Sequence, residues 1–225
     1  MLGLMNRLGT SPRAQKFWLA LECGALFIGA PAAGATALLP APVIPLLLLV
    51  ALGCGLALRL RYKISLRDLL RTHVPAREWR RILVIYLVAV PCLVGLLWFI
   101  KPAALFSLLL QHTGIWLLVM FAYPILSVFP QELIYRAFFF KRYQPLFGQG
   151  RGMILASAAL FSFGHVLFHN WPAILLSFAG GCLFGRTYQR TSSLLPACIE
   201  HSLYGCAAFT IGYGAFFFDS TVSFH

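Results

Sequence analysis

The chain has 225 residues, of which 60% are hydrophobic and only 11% charged, and its formal net charge is +12. An ordinary soluble domain has about 25% charged residues, and a globule of this size cannot bury so much apolar surface. The composition therefore excludes a soluble globular protein and predicts a membrane protein. Its positive charge points to membrane topology and anionic lipid headgroups, and not to nucleic acid.

Charge-poor stretches near the ~20 residues needed to cross a bilayer mark the predicted spans. Segments this apolar are helical, because lipid offers no hydrogen-bond partners to backbone groups. The predicted fold class is all-α, a polytopic membrane helix bundle of about seven transmembrane helices. The predicted spans are 17–39, 41–58, 82–100, 114–140, 152–168, 171–185 and 194–218, and the segment 102–110 is too short to cross.

The loop 59–81 carries eight cations and is predicted to be cytoplasmic: Arg59, Arg61, Lys63, Arg67, Arg71, Arg77, Arg80 and Arg81. Alternating spans then place 16 of the 18 cations on that side, leaving Lys101 outside and Arg136 within a span. We therefore predict a multi-pass protein of a bacterial-type inner (plasma) membrane, with a cytoplasmic N-terminus and an external C-terminus. Within the loop, the spacing Ser65-x-x-Asp68 predicts a helix start in a topology-setting linker that touches lipid.

The sequence shows no domain boundary, and we divide the chain by its predicted spans. Residues 1–114 form the first three spans with the basic loop, residues 115–218 form a core of four spans, and 219–225 are a short tail. In the short sixth span, Gly181 and Gly185 make a small-x-x-x-small step, which predicts close approach of a neighbouring helix.

Ionisable residues inside spans are costly and carry a functional hypothesis by default. Glu22 stands alone in the first span and is predicted to be an interfacial or helix-paired carboxylate. The others concentrate in the C-terminal half, in the fourth, fifth and seventh spans: Gln131 (polar), Glu132, Arg136, His165, His169, Glu200 and His201.

The spacing of these residues suggests pairs. Glu132 and Arg136 are four apart and share a helix face, so they form either a purely structural ion pair or a pair in which Arg136 holds one carboxylate oxygen and leaves the other for water. His165 and His169 have the same spacing, and such a pair can bind metal, but no Glu follows the first His as in a zincin helix. His165 lies one turn deeper and is the stronger candidate.

Three segments resemble the motifs of the CPBP family, the CAAX prenyl protease and bacteriocin-processing (Abi) intramembrane proteases. The family motifs are E-E-x-x-x-R, F-x-x-x-H and H-x-x-x-N or D, and the corresponding segments here run from Gln131 to Arg136, from Phe161 to His165, and onward from His201. The resemblance covers about residues 115 to 215. It implies an all-helical bundle with a water-filled polar cavity, in which a glutamate activates water for peptide hydrolysis while the histidines position it and stabilise the oxyanion.

Two positions depart from the family pattern. Gln131 replaces the first glutamate, and an amide cannot accept a proton at neutral pH. Gly205 replaces the Asn or Asp, and Glu200 is a candidate to supply the missing acceptor. Catalysis then requires Glu132 to act as the base, and the predicted site consists of Gln131, Glu132, Arg136, His165 and His201.

The cofactor requirement stays open, because two histidines and a carboxylate (His165, His201 and Glu132) would also suit a divalent metal such as zinc. The leading hypothesis is a CPBP-type intramembrane endopeptidase acting on a membrane-associated peptide or protein in the lipid bilayer. A catalytically impaired relative, acting as a membrane scaffold or as a peptide-binding or immunity protein, is the alternative. A small transporter or proton-coupled channel is the third hypothesis, although no symmetric halves are visible in the sequence.

Overall fold

The computed structural model describes residues 11–36 and 42–217, and within these ranges it is helical without any strand. Two long helices, Pro12–Ala35 and Thr113–Arg142, include π turns, and a third, Arg151–Phe168, ends in a 3₁₀ turn. Two separate 3₁₀ turns lie at Pro102–Ala104 and Tyr213–Phe217. In chain order the helices are α1 (Pro12–Ala35), α2 (Val43–Tyr62), α3 (Leu66–Leu69), α4 (Ala76–Ile100), α5 (Ser107–Gln111), α6 (Thr113–Arg142), α7 (Gln144–Phe147), α8 (Arg151–Phe168), α9 (Trp171–Thr191) and α10 (Leu194–Ile211). The predicted all-α polytopic bundle is confirmed.

Of the helices in the described ranges, six are long and apolar enough to cross a membrane: α1, α2, α4, α6, α8 and α10. The remaining predicted span corresponds to α9, which has 21 residues but carries Arg186 and Arg190 near its end. Helix α4 begins at Ala76, earlier than the predicted 82, because the helix continues through charged residues that hydropathy counts as loop. The predicted ends at 39, 41 and 218, the tail 219–225 and Arg7 lie outside the described residues.

The outer surface of the bundle is apolar. Large side chains such as Phe99, Phe121 and Leu60 are 87%, 74% and 67% exposed, respectively. A surface of this kind would drive aggregation in water, but it is the natural contact surface with lipid tails. The chain is therefore a multi-pass membrane protein.

Polar contacts between helices identify the two ends of the bundle. At one end of the bundle Arg142 binds Glu22, and Arg190 Nε donates to Glu78 Oε1 at 2.7 Å. We call this the basic end, because the loop 59–81 lies there. At the opposite end, Asn170 Nδ2 donates to Phe216 O at 2.7 Å. Helix α9 starts beside Asn170 and ends beside Arg190, so it runs from one end of the bundle to the other.

The predicted helix start in the basic loop is present. Ser65 and Asp68 form a capping box at α3, with Asp68 N donating to Ser65 Oγ at 3.2 Å and Ser65 N donating to Asp68 Oδ2 at 2.8 Å. The hydrogen bond from the Ser65 side chain, followed by that from its backbone, lowers the pKa of the Asp68 carboxyl. The box therefore fixes the start of a one-turn helix between the second and third membrane helices.

The core at the basic end is aromatic. The Phe27 ring packs edge-on against Tyr135, Phe139 and Tyr143, with ring centroids 5.2 to 5.8 Å apart. Beside them Glu22 accepts hydrogen bonds from Arg142 and from the Tyr143 hydroxyl, the latter at 3.0 Å. Glu22 is thus the helix-paired carboxylate that the sequence predicted, and it ties α1 to the end of α6.

Helices α8 and α9 approach each other closely at Gly181. A Cβ at this position would lie 3.0 Å from Ala158 Cα and 3.3 Å from Phe161 Cδ1, whereas one at Gly185 would meet Ile154 Cγ2 at an ordinary 3.5 Å. The predicted close approach is present, and it occurs at Gly181, where a side chain would be too close to α8. This packing matters for the site because it positions Phe161.

Candidate active site

Two π turns change the direction in which the polar residues of α6 face. The π turns are Pro124–Val128 and Leu133–Phe138, and each uses longer hydrogen-bonded rings than an α-helix does. Nine residues separate Tyr123 from Glu132, which would place them about 180° apart on an undisturbed α-helix. The first π turn changes this phase, and both side chains contact His201. Such turns inside helices are frequent at functional sites.

Glu132 and Arg136 form the predicted pair, and both are fully buried. Arg136 Nε lies 3.2 Å from Glu132 Oε2, while the guanidinium carbon sits 4.7 Å from the centroid of the Phe161 ring and 5.8 Å from that of Phe184. Aromatic faces attract a cation, so these rings offset part of the cost of burying the arginine.

The other oxygen of Glu132 is bonded as well, which the sequence did not predict. His201 Nδ1 lies 2.9 Å from Glu132 Oε1, a hydrogen bond between residues 69 positions apart in the chain. Because a carboxylate only accepts, Nδ1 carries the hydrogen in this bond. The oxygen that remains without a hydrogen bond is Oε2, the one nearest Arg136.

Aromatic rings and one hydroxyl enclose His201. Its ring stacks on Phe184 at 4.4 Å between centroids and meets Phe161 edge-on at 5.6 Å. Its second nitrogen, Nε2, lies 3.1 Å from Tyr123 Oη. Both nitrogens of His201 therefore have partners, and the ring is held on every side.

His165 lies at the same site but is less enclosed. It begins the 3₁₀ turn His165–Phe168 that ends α8, and its Nδ1 is 2.8 Å from Phe161 O. Among the described residues it makes no hydrogen bond to Glu132 or His201; the Phe161 ring, 4.7 Å from the ring of His165, separates them. His165 is half-buried, whereas Glu132 and His201 are buried.

The histidine pair expected on one helix face does not form. The helix tightens into a 3₁₀ turn at His165, and His169 has a φ of 53° in the left-handed region beyond the helix end. His169 is exposed and caps the turn before α9 instead of facing the site.

Gln131 lies beside the site with its amide anchored. Its Nε2 donates to Ser127 Oγ at 2.7 Å, one turn earlier on α6, while Oε1 is buried without a hydrogen-bond partner among the described residues. Glu132 Oε2 and the three guanidinium nitrogens of Arg136 are also buried without a hydrogen bond among the described residues. Glu132 Oε2 and Arg136 Nε face each other as an ion pair at 3.2 Å. An unbonded buried polar atom such as Arg136 Nη1 or Nη2 costs about 1–3 kcal/mol, which makes these nitrogens candidates to bind water or a polar substrate group.

Glu200 does not supply an acceptor to His201. It is fully buried, accepts a hydrogen bond from the Thr187 hydroxyl, and lies 3.4 Å from Arg81 Nη2. Adjacent residues of a helix point about 100° apart, so Glu200 faces α4 and α9 while His201 faces α6. Glu200 belongs to a second ionic cluster, the Glu78 cluster, which consists of Glu78, Arg81, Thr187, Arg190 and Glu200.

The sequence missed two parts of this arrangement. Tyr123 has no motif around it, and only the phase change of the π turn brings it to His201. The Glu78 cluster was also missed, because Arg81 and Glu78 were assigned to the basic loop; their i, i+3 spacing was the available signal.

The structure gives no support for a metal at the site. Across residues 11–36 and 42–217, no group of three or more His, Cys, Asp and Glu side chains is arranged to hold a metal ion. Of the candidate ligands, His201 uses one nitrogen for Glu132 and the other for Tyr123, so neither is free. The residues present do not fit a zinc centre in this arrangement, and we assign no step to a metal.

Residues 112–207, somewhat under half of the chain, match the family model described as type II CAAX prenyl endopeptidase Rce1-like. Comparisons with curated proteins and with solved structures find no significant match to the chain. The matched segment contains Gln131, Glu132, Arg136, His165 and His201. Over this segment the chain is similar to the CAAX-protease (CPBP) family, which supports the resemblance seen in its motifs.

Proposed function

We propose that the protein is an intramembrane endopeptidase that hydrolyses a peptide bond of a membrane-associated substrate with water activated at Glu132. The observation that carries this proposal is the hydrogen bond from His201 Nδ1 to Glu132 Oε1, which joins two distant motifs in a buried place and leaves Oε2 without a hydrogen bond. A buried carboxylate oxygen with lone pairs free is the group that a general base needs.

In the proposed reaction Glu132 Oε2 accepts a proton from water, and the water oxygen attacks the carbonyl carbon of the scissile bond. The proton then passes to the leaving amine, so that Glu132 returns to its starting state. His201 and Arg136 orient the carboxylate. His165, whose Nδ1 is bonded to Phe161 O, positions the water through Nε2 or, when protonated, donates from it to the oxyanion. Gln131 Oε1 is an additional acceptor for the water.

The test uses the purified protein in lipid nanodiscs and a mixed library of quenched fluorogenic peptides, offered both free and with a lipid anchor. We expect the parent to cleave a subset of the library and Glu132→Gln to lower kcat by about 10²–10⁴-fold, the usual contribution of a general base. The matched control is Glu22→Gln, the same change at another arginine-paired carboxylate of the membrane region, which should retain cleavage. Full activity in Glu132→Gln would contradict the proposal.

A second candidate function is that of a catalytically impaired relative that binds a membrane peptide or partner without cleaving it. Gln131 favours it, because the family has a glutamate there and the amide is instead anchored to Ser127. A parent that binds peptides of the library but cleaves none of them would support this candidate.

We further propose that the basic end of the bundle faces the cytoplasm, which places the N-terminus inside and the C-terminus outside. The proposal follows from the cations gathered at that end and the excess of Lys and Arg in cytoplasmic loops. A reporter inserted near Arg71 should read as cytoplasmic, and one fused after His225 as external. The reverse result at either point would contradict this orientation.

A further inference from the structure

Gly205 lies one helical turn after His201, on the same face of α10, and the Tyr123 ring occupies the space beside it. A Cβ built on Gly205 would overlap Tyr123 Cε1 and would lie 2.5 Å from its Oη and 2.6 Å from its Cζ. These distances are far below van der Waals contact, and the atoms belong to a ring that also packs against Phe209 at 5.2 Å. A side chain at 205 and the Tyr123 ring in its present place therefore exclude each other.

The hydroxyl of this ring reaches the nitrogen of His201 that Glu132 leaves open. Because Glu132 fixes the hydrogen of the neutral ring on Nδ1, Nε2 carries a lone pair and accepts a hydrogen bond from the Tyr123 hydroxyl, 3.1 Å away. A residue four positions after His201 could provide such a partner only with a polar side chain, and Gly205 has none. Tyr123 makes the bond from a different helix.

We propose that Tyr123 is a positioning residue for His201, and that Gly205 is glycine because the Tyr123 ring fills the place of its side chain. The phenol holds Nε2, which keeps the ring rotated so that Nδ1–H stays on Glu132 and orients the carboxylate towards water. The inference rests on the proposed function, since it assigns to Tyr123 a role in the same site.

The first arm of the test detects the hydrogen bond between Tyr123 and His201 by NMR, and it does not require the protein to cleave a peptide. The protein is labelled with ¹⁵N-histidine in nanodiscs, and the His201 resonances are assigned by their loss in His201→Asn. In Tyr123→Phe we expect the Nε2 resonance to move downfield, towards the position of an unbonded ring nitrogen, while the Nδ1 resonance broadens as the ring loses one anchor. An unchanged Nε2 resonance would overturn the inference.

The second arm uses paired substitutions. Gly205→Asn alone should lower the unfolding temperature strongly, because the new side chain meets the Tyr123 ring. Tyr123→Ala/Gly205→Asn should recover stability and activity relative to either single variant, because the ring is gone and the asparagine amide can bond Nε2. The matched control is Tyr123→Phe/Gly205→Asn, in which the ring remains and no rescue is expected. Equal behaviour of the two double variants would overturn the inference.

Kinetics separate a positioning role from a purely structural one. Tyr123→Phe keeps the ring packing, so we expect kcat to fall about tenfold, the effect of one lost hydrogen bond, with KM and unfolding temperature near those of the parent. A normal kcat in Tyr123→Phe would overturn the inference. If the parent cleaves nothing, the proposed function fails, and the ¹⁵N arm and the stability of the double variants still decide whether Tyr123 positions His201.

Discussion

The two buried ionic clusters of the bundle differ in how completely their polar atoms are bonded. In the Glu78 cluster all four carboxylate oxygens of Glu78 and Glu200 have partners, and of its buried polar atoms in the described ranges only Arg81 Nη1 lacks one. In the Glu132 cluster, which we define as Gln131, Glu132, Arg136 and His201, five buried polar atoms have no hydrogen bond. The clusters are adjacent in sequence at residues 200 and 201 but lie on different faces of α10, about 100° apart.

This difference separates a structural from a chemical use of buried charge. A satisfied ion-pair network ties helix ends together and needs nothing more, as the Glu78 cluster does for α4, α9 and α10. Unsatisfied buried polar atoms cost stability and persist where a ligand or reaction uses them. The comparison therefore supports a structural role for the Glu78 cluster and the water-binding role that we propose for the Glu132 cluster.

The largest expected effect on stability comes from breaking the Glu78 cluster. Arg81 bonds Glu78, Thr187 and Glu200, so Arg81→Met leaves two buried carboxylates short of a partner. Removing one member of a buried ion pair typically costs about 3–5 kcal/mol, and we expect a loss of this order in the free energy of unfolding, measured by denaturant titration in detergent.

The matched control for this prediction is Arg77→Met. Arg77 also lies near Glu78, at 3.5 Å from its Oε1, but its side chain is 74% exposed. Surface ion pairs contribute about 0–1 kcal/mol, so this variant should be nearly as stable as the parent. Equal losses in Arg77→Met and Arg81→Met would show that the Glu78 cluster does not stabilise the helix ends.

Much of this architecture follows from the sequence because hydropathy and charge act locally. The bundle, the capping box at Ser65 and the Glu132–Arg136 pair each depend on residues within one or two helical turns, and they were predicted. The prediction that His165 and His169 share a helix face was wrong. It required a regular α-helix through both residues, but the helix tightens into a 3₁₀ turn at His165 and ends before His169.

The contacts that sequence reasoning missed depend on helix phase and on packing between distant segments. Tyr123 reaches His201 only because of a π turn, whose position no hydrophobic pattern indicates. Glu200 faces Arg81 and not His201, which depends on how α10 is rotated against α4. Rotation about a helix axis is set by side-chain fit, and a single sequence carries little information about it.

An intermediate effect is expected where α8 and α9 support the Glu132 cluster. Gly181→Ala places a methyl group 3.0 Å from Ala158 Cα and pushes on Phe161, whose ring contacts both Arg136 and His201. Overpacking of this kind costs about 1–3 kcal/mol, partly offset by the better helix propensity of alanine, and it should also lower kcat. Gly185→Ala is the control, since its methyl group meets Ile154 at an ordinary distance. If both variants behave alike in thermal unfolding and kinetics, Gly181 does not support the site.

The smallest expected change in rate comes from Gln131→Glu, which restores the two adjacent carboxylates of the family motif. The new carboxylate is accommodated because Ser127 Oγ, 2.7 Å from the amide nitrogen, can turn from accepting a hydrogen bond to donating one. It would directly precede Glu132 in the chain, and Arg136 Nη1 and Nη2, which have no hydrogen bond among the described residues, are cationic donors on the same helix. We expect peptide cleavage to stay at the parent rate or to rise by up to about tenfold.

The exchange variant Gln131→Glu/Glu132→Gln makes this prediction decisive, because it moves the only carboxylate from position 132 to 131. If Glu132 is the base, the exchange variant loses about 10²–10⁴-fold in kcat while Gln131→Glu alone does not. The reason is geometric: His201 Nδ1 and Arg136 are aimed at the side chain of Glu132, and Gln131 is turned towards Ser127. An inactive parent together with active Gln131→Glu and exchange variants would instead identify a disabled relative whose site needs only its first carboxylate to work.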